Sequence, residues 1–277
     1  MNLIALKTFL AIIEVGHLNR AAELLNITQS TVNARLNGLE QALGQKLFHR
    51  RKSGAVLTSA GFRFERYAQL MTDLWRQAQQ ETALPAAIET VCNIGCHPDL
   101  WPVTGQQIFE QVKLSEANIA TSVWPGDQQE LERWLKNGLI DMALCYTSSL
   151  RDSWTAYSLA EDKLIQVSTR PRSLMRWDAG YIYVDSGEEF RKSHAAAYPD
   201  GDTPTVIFGS SVWALEYLLK TEGSAYLPER LVLPHINNET LFPVVGAVEF
   251  SRAVYLVVND VSRQKWSWFS TMLNNLN

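Results

Sequence analysis

Apolar residues recur at helical spacing from the start of the chain. Leu6, Phe9, Leu10 and Ile13 fall at i, i+3, i+4 and i+7, one face of a helix that Gly16 is placed to end. Leu18, Ala21, Ala22 and Leu25 repeat the spacing, and the two small alanines let another helix approach closely. Asn26-Ile27-Thr28 breaks the pattern, and Thr28 can cap a third helix. Its stripe of Val32, Leu36, Leu39 and Leu43 runs to Gly44, a suitable C-terminal stop. Leu47–Leu57 then reads as two short β-like runs around a basic, glycine-containing turn. Thr58 is placed to cap a long helix reaching about Ala83. In it Ala60, Phe64, Tyr67, Met71, Leu74 and Ala78 are spaced 4, 3, 4, 3, 4, a heptad seam that calls for a partner helix. The cheapest partner is the same helix of a second subunit, so Phe64, Tyr67, Met71 and Leu74 are the expected dimerisation residues.

Beyond Thr82–Ala87, a hinge containing Pro85, the period changes. Strand patterns at Val91–Gly95, Ile119–Val123, Met142–Tyr146, Leu164–Ser168, Tyr181–Val184, Val206–Phe208 and Val254–Val258 alternate with helical ones. The helices are expected at Leu100–Val112, Gln128–Leu135, Glu188–Ala197, Ser211–Thr221 and Val261–Leu273. Such alternation predicts parallel α/β sheets. The chain is therefore expected to be an α+β multi-domain protein. Residues 1–58 form a winged helix-turn-helix, 59–87 a linker helix and hinge, and 88–277 an α/β domain.

Two short helices joined by a tight turn and braced by a third describe a helix-turn-helix. The outward face of the third helix carries Ser30, Asn33, Ala34, Asn37 and Gln41, with Gln29 at its flank and no acid among them. Such a face can enter a major groove, where Gln and Asn pair with adenine edges. Gln29, Ser30, Asn33 and Asn37 are the expected base contacts, since the start of a recognition helix reaches the bases. Thr31, Arg35, Arg50, Arg51 and Lys52 are the expected phosphate or wing contacts. Charge supports this division. Residues 1–80 hold ten Lys and Arg against five acids, a net of +5, whereas the remainder holds 15 against 24, a net of −9. The overall charge of −4 thus hides a basic head on an acidic body, and double-stranded DNA is the expected partner of the head.

The run Asn19-Arg20-Ala21-Ala22-Glu23-Leu24-Leu25-Asn26-Ile27-Thr28-Gln29-Ser30-Thr31-Val32 resembles the head of the LysR-type transcriptional regulators. Leu39-Glu40, Leu43-Gly44, Leu47-Phe48 and Leu57-Thr58-Ser59-Ala60-Gly61 continue the likeness in order, covering about the first 65 residues. The resemblance implies a dimer or tetramer joined through the long helix and bound to a dyad-symmetric operator. It also implies a two-lobed, periplasmic-binding-protein-like effector domain, and makes RNA polymerase a further candidate partner. The first lobe would take residues 88–160 and 246–277, the second 161–245.

A small-molecule effector is expected beyond the carboxyl ends of the strands, near helix starts. That rule selects Cys96, His97, Trp124, Thr147, Ser148, Ser210 and Ser211. No cofactor, metal or catalytic residue is expected. Cys92, Cys96 and Cys145 lack ligand spacing, and their odd number suits a reducing cytoplasm. No dinucleotide loop, P-loop, H-E-x-x-H or G-x-S-x-G occurs. Glu14 and Arg20 interrupt the apolar start, so neither a signal peptide nor a membrane span is expected. Two other readings stand beside the regulator: a winged-helix head fused to a catalytic α/β domain, and a ligand-binding adaptor without transcriptional output.

Overall fold

The computed structural model describes residues 2–51, 54–148, 153–173, 180–201 and 203–276. The chain divides into two compact units, Met1–Pro85 and Ala86–Asn277.

In the first unit, α1 (Leu3–Val15), α2 (Leu18–Leu24) and α3 (Gln29–Leu43) precede the antiparallel hairpin of β1 (Phe48–Arg51) and β2 (Gly54–Leu57), and α4 (Ser59–Thr82) follows. The ends are set by local chemistry. Gly16 closes α1 at φ 71°, a left-handed conformation that costs glycine little. Its carbonyl accepts from the Ala55 N–H at 2.7 Å, which ties the end of α1 to the hairpin. Thr28 and Thr58 cap α3 and α4 through their hydroxyls. Leu6, Phe9, Ile12, Ala21, Val32 and Leu36 form the buried centre, and the Phe9 ring lies 5.3 Å from Phe48 and 5.4 Å from Phe64.

Two expectations for this unit need correction. Leu43 is exposed, and the stripe of α3 stops at Leu39 because Glu40 occupies the next buried position. The heptad seam also divides. Ala60, Phe64 and Met71 pack with buried Ala68 on the head's own core, because α4 lies against α1. Phe64 and Met71, both half-buried, thus pack at least in part on the head itself. Tyr67 and Leu74 do face outward, together with Phe62 (72% exposed) and Trp75 (50%), which the heptad count passed over.

The second unit contains two mixed sheets. In chain order its elements are β3 (Thr90–Cys96), α5 (Gln106–Ser115), β4 (Ile119–Pro125), α6 (Gln128–Asn137), β5 (Met142–Cys145), β6 (Trp154–Ser158), β7 (Asp162–Ser168), β8 (Tyr181–Val184), α7 (Glu188–Ala197), β9 (Val206–Phe208), α8 (Ser211–Leu218), β10 (Ser224–Pro228), α9 (Glu229–Asn237), β11 (Phe242–Pro243), β12 (Phe250–Arg252), β13 (Tyr255–Asn259), α10 (Asp260–Arg263) and α11 (Phe269–Asn274). The first lobe is built on the order β4-β3-β5-β13-β6, the second on β11-β7-β10-β8-β9 with β12 also on β7. The sheets are not wholly parallel as alternation predicted. Late-returning β13 runs antiparallel to β5 and β6, and β7 runs antiparallel to β10, β11 and β12.

The chain crosses between lobes at Ser158–Asp162 and returns at Arg252–Tyr255, later than the expected 246, because Phe250–Arg252 still pairs with β7. The expected helix at Leu100–Val112 starts only at Gln106. Pro102 is extended (φ −61°, ψ 128°) and Val103 has φ 71°, so helix cannot run through them. The expected closing helix is likewise split, and between its halves Trp266 and Trp268 stack at 5.0 Å within the first lobe's core.

The second lobe encloses a buried cluster of rings: Tyr181, Tyr183, Phe190, Tyr226, Phe250 and His194. The His194 Nε2 lies 2.9 Å from the Tyr181 hydroxyl, and burial pushes the imidazole down from its usual 6.5 to about 4. The folded chain therefore keeps His194 neutral where the unfolded chain takes up a proton. This contribution is complete above about pH 6.5 and is lost as pH falls toward 4, by at most about 3 kcal/mol. Urea midpoints of the wild type and His194→Phe should converge or cross between pH 7 and pH 4.5. Parallel pH profiles for the two would remove His194 from the account.

Candidate nucleic-acid interface and sensor site

On α3 the outward residues Gln29, Ser30, Ala34, Asn37, Gly38 and Gln41 are exposed, while Val32, Leu36 and Leu39 are buried. Thr31 and Arg35 are half-buried at the edge of that face. The first turn is braced by hydroxyls, with Thr28 Oγ1 2.8 Å from both Ser30 Oγ and Thr31 Oγ1. Asn33 differs from its sequence assignment. Its amide donates to the Gln29 carbonyl at 3.0 Å, and its Oδ1 is buried with no partner among the described residues. Such a side chain is not presented for pairing as Gln29 and Asn37 are.

The hairpin joins this face. In β1, Phe48 is buried whereas His49, Arg50 and Arg51 are exposed. Arg50 Nη2 donates to Asn37 Oδ1 at 3.3 Å, linking β1 to the recognition helix. Lys52, expected on the same surface, lies outside the described residues. Glu40 does not oppose this positive surface. Its buried carboxylate accepts from Lys46 Nζ at 2.7 Å and from the Leu47 N–H at 2.8 Å. Burial pushes that carboxyl up, but Lys46 and the Leu47 and Phe48 amides outweigh it and hold the group below its usual range.

The expected effector residues of the second unit meet different fates. Cys96 and Cys145 are buried in the first lobe, and burial pushes their thiols up to about 12 and about 11. Neither forms a thiolate readily near neutral pH, and Cys96 faces the core instead of a ligand. His97 is half-buried, with its ring edge-on to Tyr146 at 5.0 Å, and burial lowers its pKa. Trp124 is exposed, and its indole N–H donates to Ser122 Oγ at 2.9 Å. Thr147 is exposed and Ser148 half-buried at the end of β5. Ser210 and Ser211 do stand at a helix start, but Asp99 of the first lobe occupies it. Its carboxylate accepts from Ser210 Oγ at 2.8 Å and from the Ser211 N–H at 2.9 and 3.0 Å.

Asp99 was not among the sequence candidates, nor was a second network beside it. Buried Asp162 accepts from Arg230 Nε at 2.9 Å, Arg230 Nη2 at 3.2 Å, Arg252 Nη2 at 3.2 Å and the Tyr146 hydroxyl at 2.9 Å. Arg230 also donates to the carbonyls of Pro102 at 2.7 Å and Asp99 at 2.6 Å, and the Arg252 guanidinium lies over the Tyr146 ring at 3.8 Å. No local motif marks these residues. Among the described residues no group of three or more His, Cys, Asp or Glu could hold a metal ion, and no helix is long and apolar enough to cross a membrane.

Known proteins resemble the chain both in its head and along its length. Residues 3–62 match the family described as "Bacterial regulatory helix-turn-helix protein, lysR family". The HTH-type transcriptional regulator HdfR of Shigella boydii serotype 18 is 25% identical over 255 residues, covering 91% of this chain and 90% of that protein. HdfR of Escherichia coli O17:K52:H18 is 26% identical over the same coverage. Among solved structures, Vibrio fischeri DarR in complex with DNA has a TM-score of 0.58 at 18% identity, covering 96% of this chain and 97% of that one. Full-length LysG of Corynebacterium glutamicum with bound effector Arg has a TM-score of 0.54 at 18% identity, covering 100% and 98%. Residues 3–62, from α1 to the start of α4, thus match the lysR-family helix-turn-helix, regulators named HdfR align over nine-tenths of the chain, and the two-lobed α/β body shares the fold of full-length structures of LysR-type regulators.

Proposed function

We propose that the head reads a dyad-symmetric DNA site through Gln29, Ser30 and Asn37, with Thr31, Arg35, Arg50, Arg51 and Lys52 on the phosphates. The observation that carries this reading is the acid-free polar face of α3 joined to a basic hairpin by the Arg50–Asn37 bond. Asn33 takes a supporting place, since it is half-buried with its Oδ1 enclosed, whereas Asn37 is exposed. The domain division follows from the same reading: residues 1–58 bind DNA, 59–87 link and pair subunits, and 88–277 sense a small molecule. Tyr67 and Leu74, seven residues apart and so on one side of α4, form the apolar strip that a second copy covers. The effector binds between the lobes near His97, Trp124, Thr147 and Ser148, and the body performs no catalytic step. The protein acts in the cytoplasm, where its DNA is. Binding of effector shifts the arrangement of lobes or subunits, and with it the spacing of the heads.

Pull-down of fragmented genomic DNA near physiological salt, followed by sequencing, tests this function. Enrichment of a few upstream regions sharing a dyad is expected, and uniform recovery across the genome would refute sequence reading. With a site in hand, Gln29→Ala should cost about 1–3 kcal/mol on that site and little on random DNA. Arg51→Ala should weaken binding to both and reduce the slope of log K against log salt by at most about one. Equal losses on specific and random DNA for Gln29→Ala would remove it from base contact.

A further inference from the structure

Among the described residues, contacts between the lobes of the second unit include two carboxylate bridges. One lies at the pair of chain crossings, where Asp162 and Arg252 stand opposite each other in the β7–β12 ladder. The other lies away from the crossings. There Asp99, from the turn after β3, reaches the start of α8 in the second lobe.

The first N–H groups of a helix lack intrahelical partners and carry partial positive charge, so such an end accepts an anion. Here both oxygens of the Asp99 carboxylate face the Ser211 N–H, and one also accepts from the Ser210 hydroxyl. Asp99 is 3% exposed, and among the described residues no Lys or Arg ion-pairs with its carboxylate. Arg230 instead holds the Asp99 backbone carbonyl, fixing the turn that presents the side chain. The Ser211 hydroxyl is wholly buried at the same helix start and has no partner among the described residues. A buried carboxylate met only by helix N–H and hydroxyl donors is the arrangement that a bound carboxylic acid would adopt.

We propose that the start of α8 is a carboxylate-binding site which the chain fills with its own Asp99, so that the two lobes are held together by an internal ligand. The tethered carboxylate is present at an effective concentration in the millimolar range or above. Weakly binding acids therefore do not enter, and an acidic effector must displace Asp99. This refines the effector reading above, but its test does not involve DNA.

The experiment is chemical rescue of full-length Asp99→Ala. Thermal unfolding of the second unit is followed while sodium formate is titrated against sodium chloride at matched ionic strength. The variant should unfold roughly 5–10 °C below wild type without formate. Formate should restore part of that loss saturably, chloride should not, and the wild type should respond to neither. Identical responses of the variant to both salts, or equal stabilisation of wild type by formate, overturn the proposal. If Asp99→Ala does not fold alone, refolding in formate but not in chloride carries the same information. Asp99→Asn keeps the shape and removes the charge. Wild-type stability in that variant overturns the proposal whatever the alanine variant does.

Discussion

Asp162→Ala is expected to lower the stability of the second unit by about 3–5 kcal/mol, because it leaves two guanidinium groups buried without their counter-charge. The Arg230 and Arg252 side chains are only 16% and 8% exposed, so water cannot replace the carboxylate. The Tyr146 hydroxyl loses its acceptor at the same time. Position adds to the effect. Asp162 opens the strand that enters the second lobe, and Arg252 closes the strand that leaves it. Urea unfolding followed by tryptophan fluorescence reads this unit well, since eight of the nine tryptophans lie beyond residue 86. The triple variant Asp162→Leu, Arg230→Met, Arg252→Met should recover much of the loss, because removing a whole buried ionic group is far cheaper than removing one member. A loss below about 1 kcal/mol for Asp162→Ala would show that the crossings are not held by charge.

What could be read from residues alone follows from how local each determinant is. The head is written in adjacent signals: Gly16, Thr28, Gly44 and Thr58 mark helix ends, and spacing within one helix separates Val32 and Leu36 from Asn37. The linker helix was harder, because its apolar positions serve two surfaces. A single heptad count merges Phe64 and Met71, which face the head's core, with Tyr67 and Leu74, which do not. In the body, strand identity was legible where apolar runs were short and bounded, as at Tyr181–Val184 and Val206–Phe208. Direction was not legible, since β13 enters its sheet antiparallel after a return from the other lobe. The rule that places ligands at helix starts pointed to Ser210 and Ser211, whose hydroxyl and N–H donors meet the Asp99 carboxylate. It could not find the acid that sits there, because Asp99 is 112 residues away from Ser211 in sequence.

Gly61→Val should unseat the linker helix from the head, and the geometry allows the sign to be argued in advance. A Cβ at position 61 would lie 2.2 Å from the Leu47 carbonyl oxygen and 2.8 Å from Leu57 Cδ2. The first obstacle is backbone, and that carbonyl also accepts the Thr58 N–H at 2.9 Å, so it cannot retreat without breaking the start of α4. Even alanine gains at most about 1 kcal/mol of helix propensity against an overpacking cost of about 1–3 kcal/mol, and valine adds two methyl groups to the clash. Net destabilisation of the head by more than about 2 kcal/mol is expected for valine, with a parallel loss of specific and non-specific DNA binding. Gly38→Ala supplies the contrast. Nothing lies within 4 Å of a Cβ at that position, so the same kind of substitution in α3 should stabilise the head by about 0.5–1 kcal/mol. Gly38 faces outward with Asn37 and Gln41, and a methyl group there should weaken binding at the specific site despite the gain in stability. If the two glycine variants shift head stability in the same direction, backbone approach at Gly61 is not what joins α4 to the hairpin. If Gly38→Ala leaves DNA affinity untouched, that end of α3 lies outside the groove.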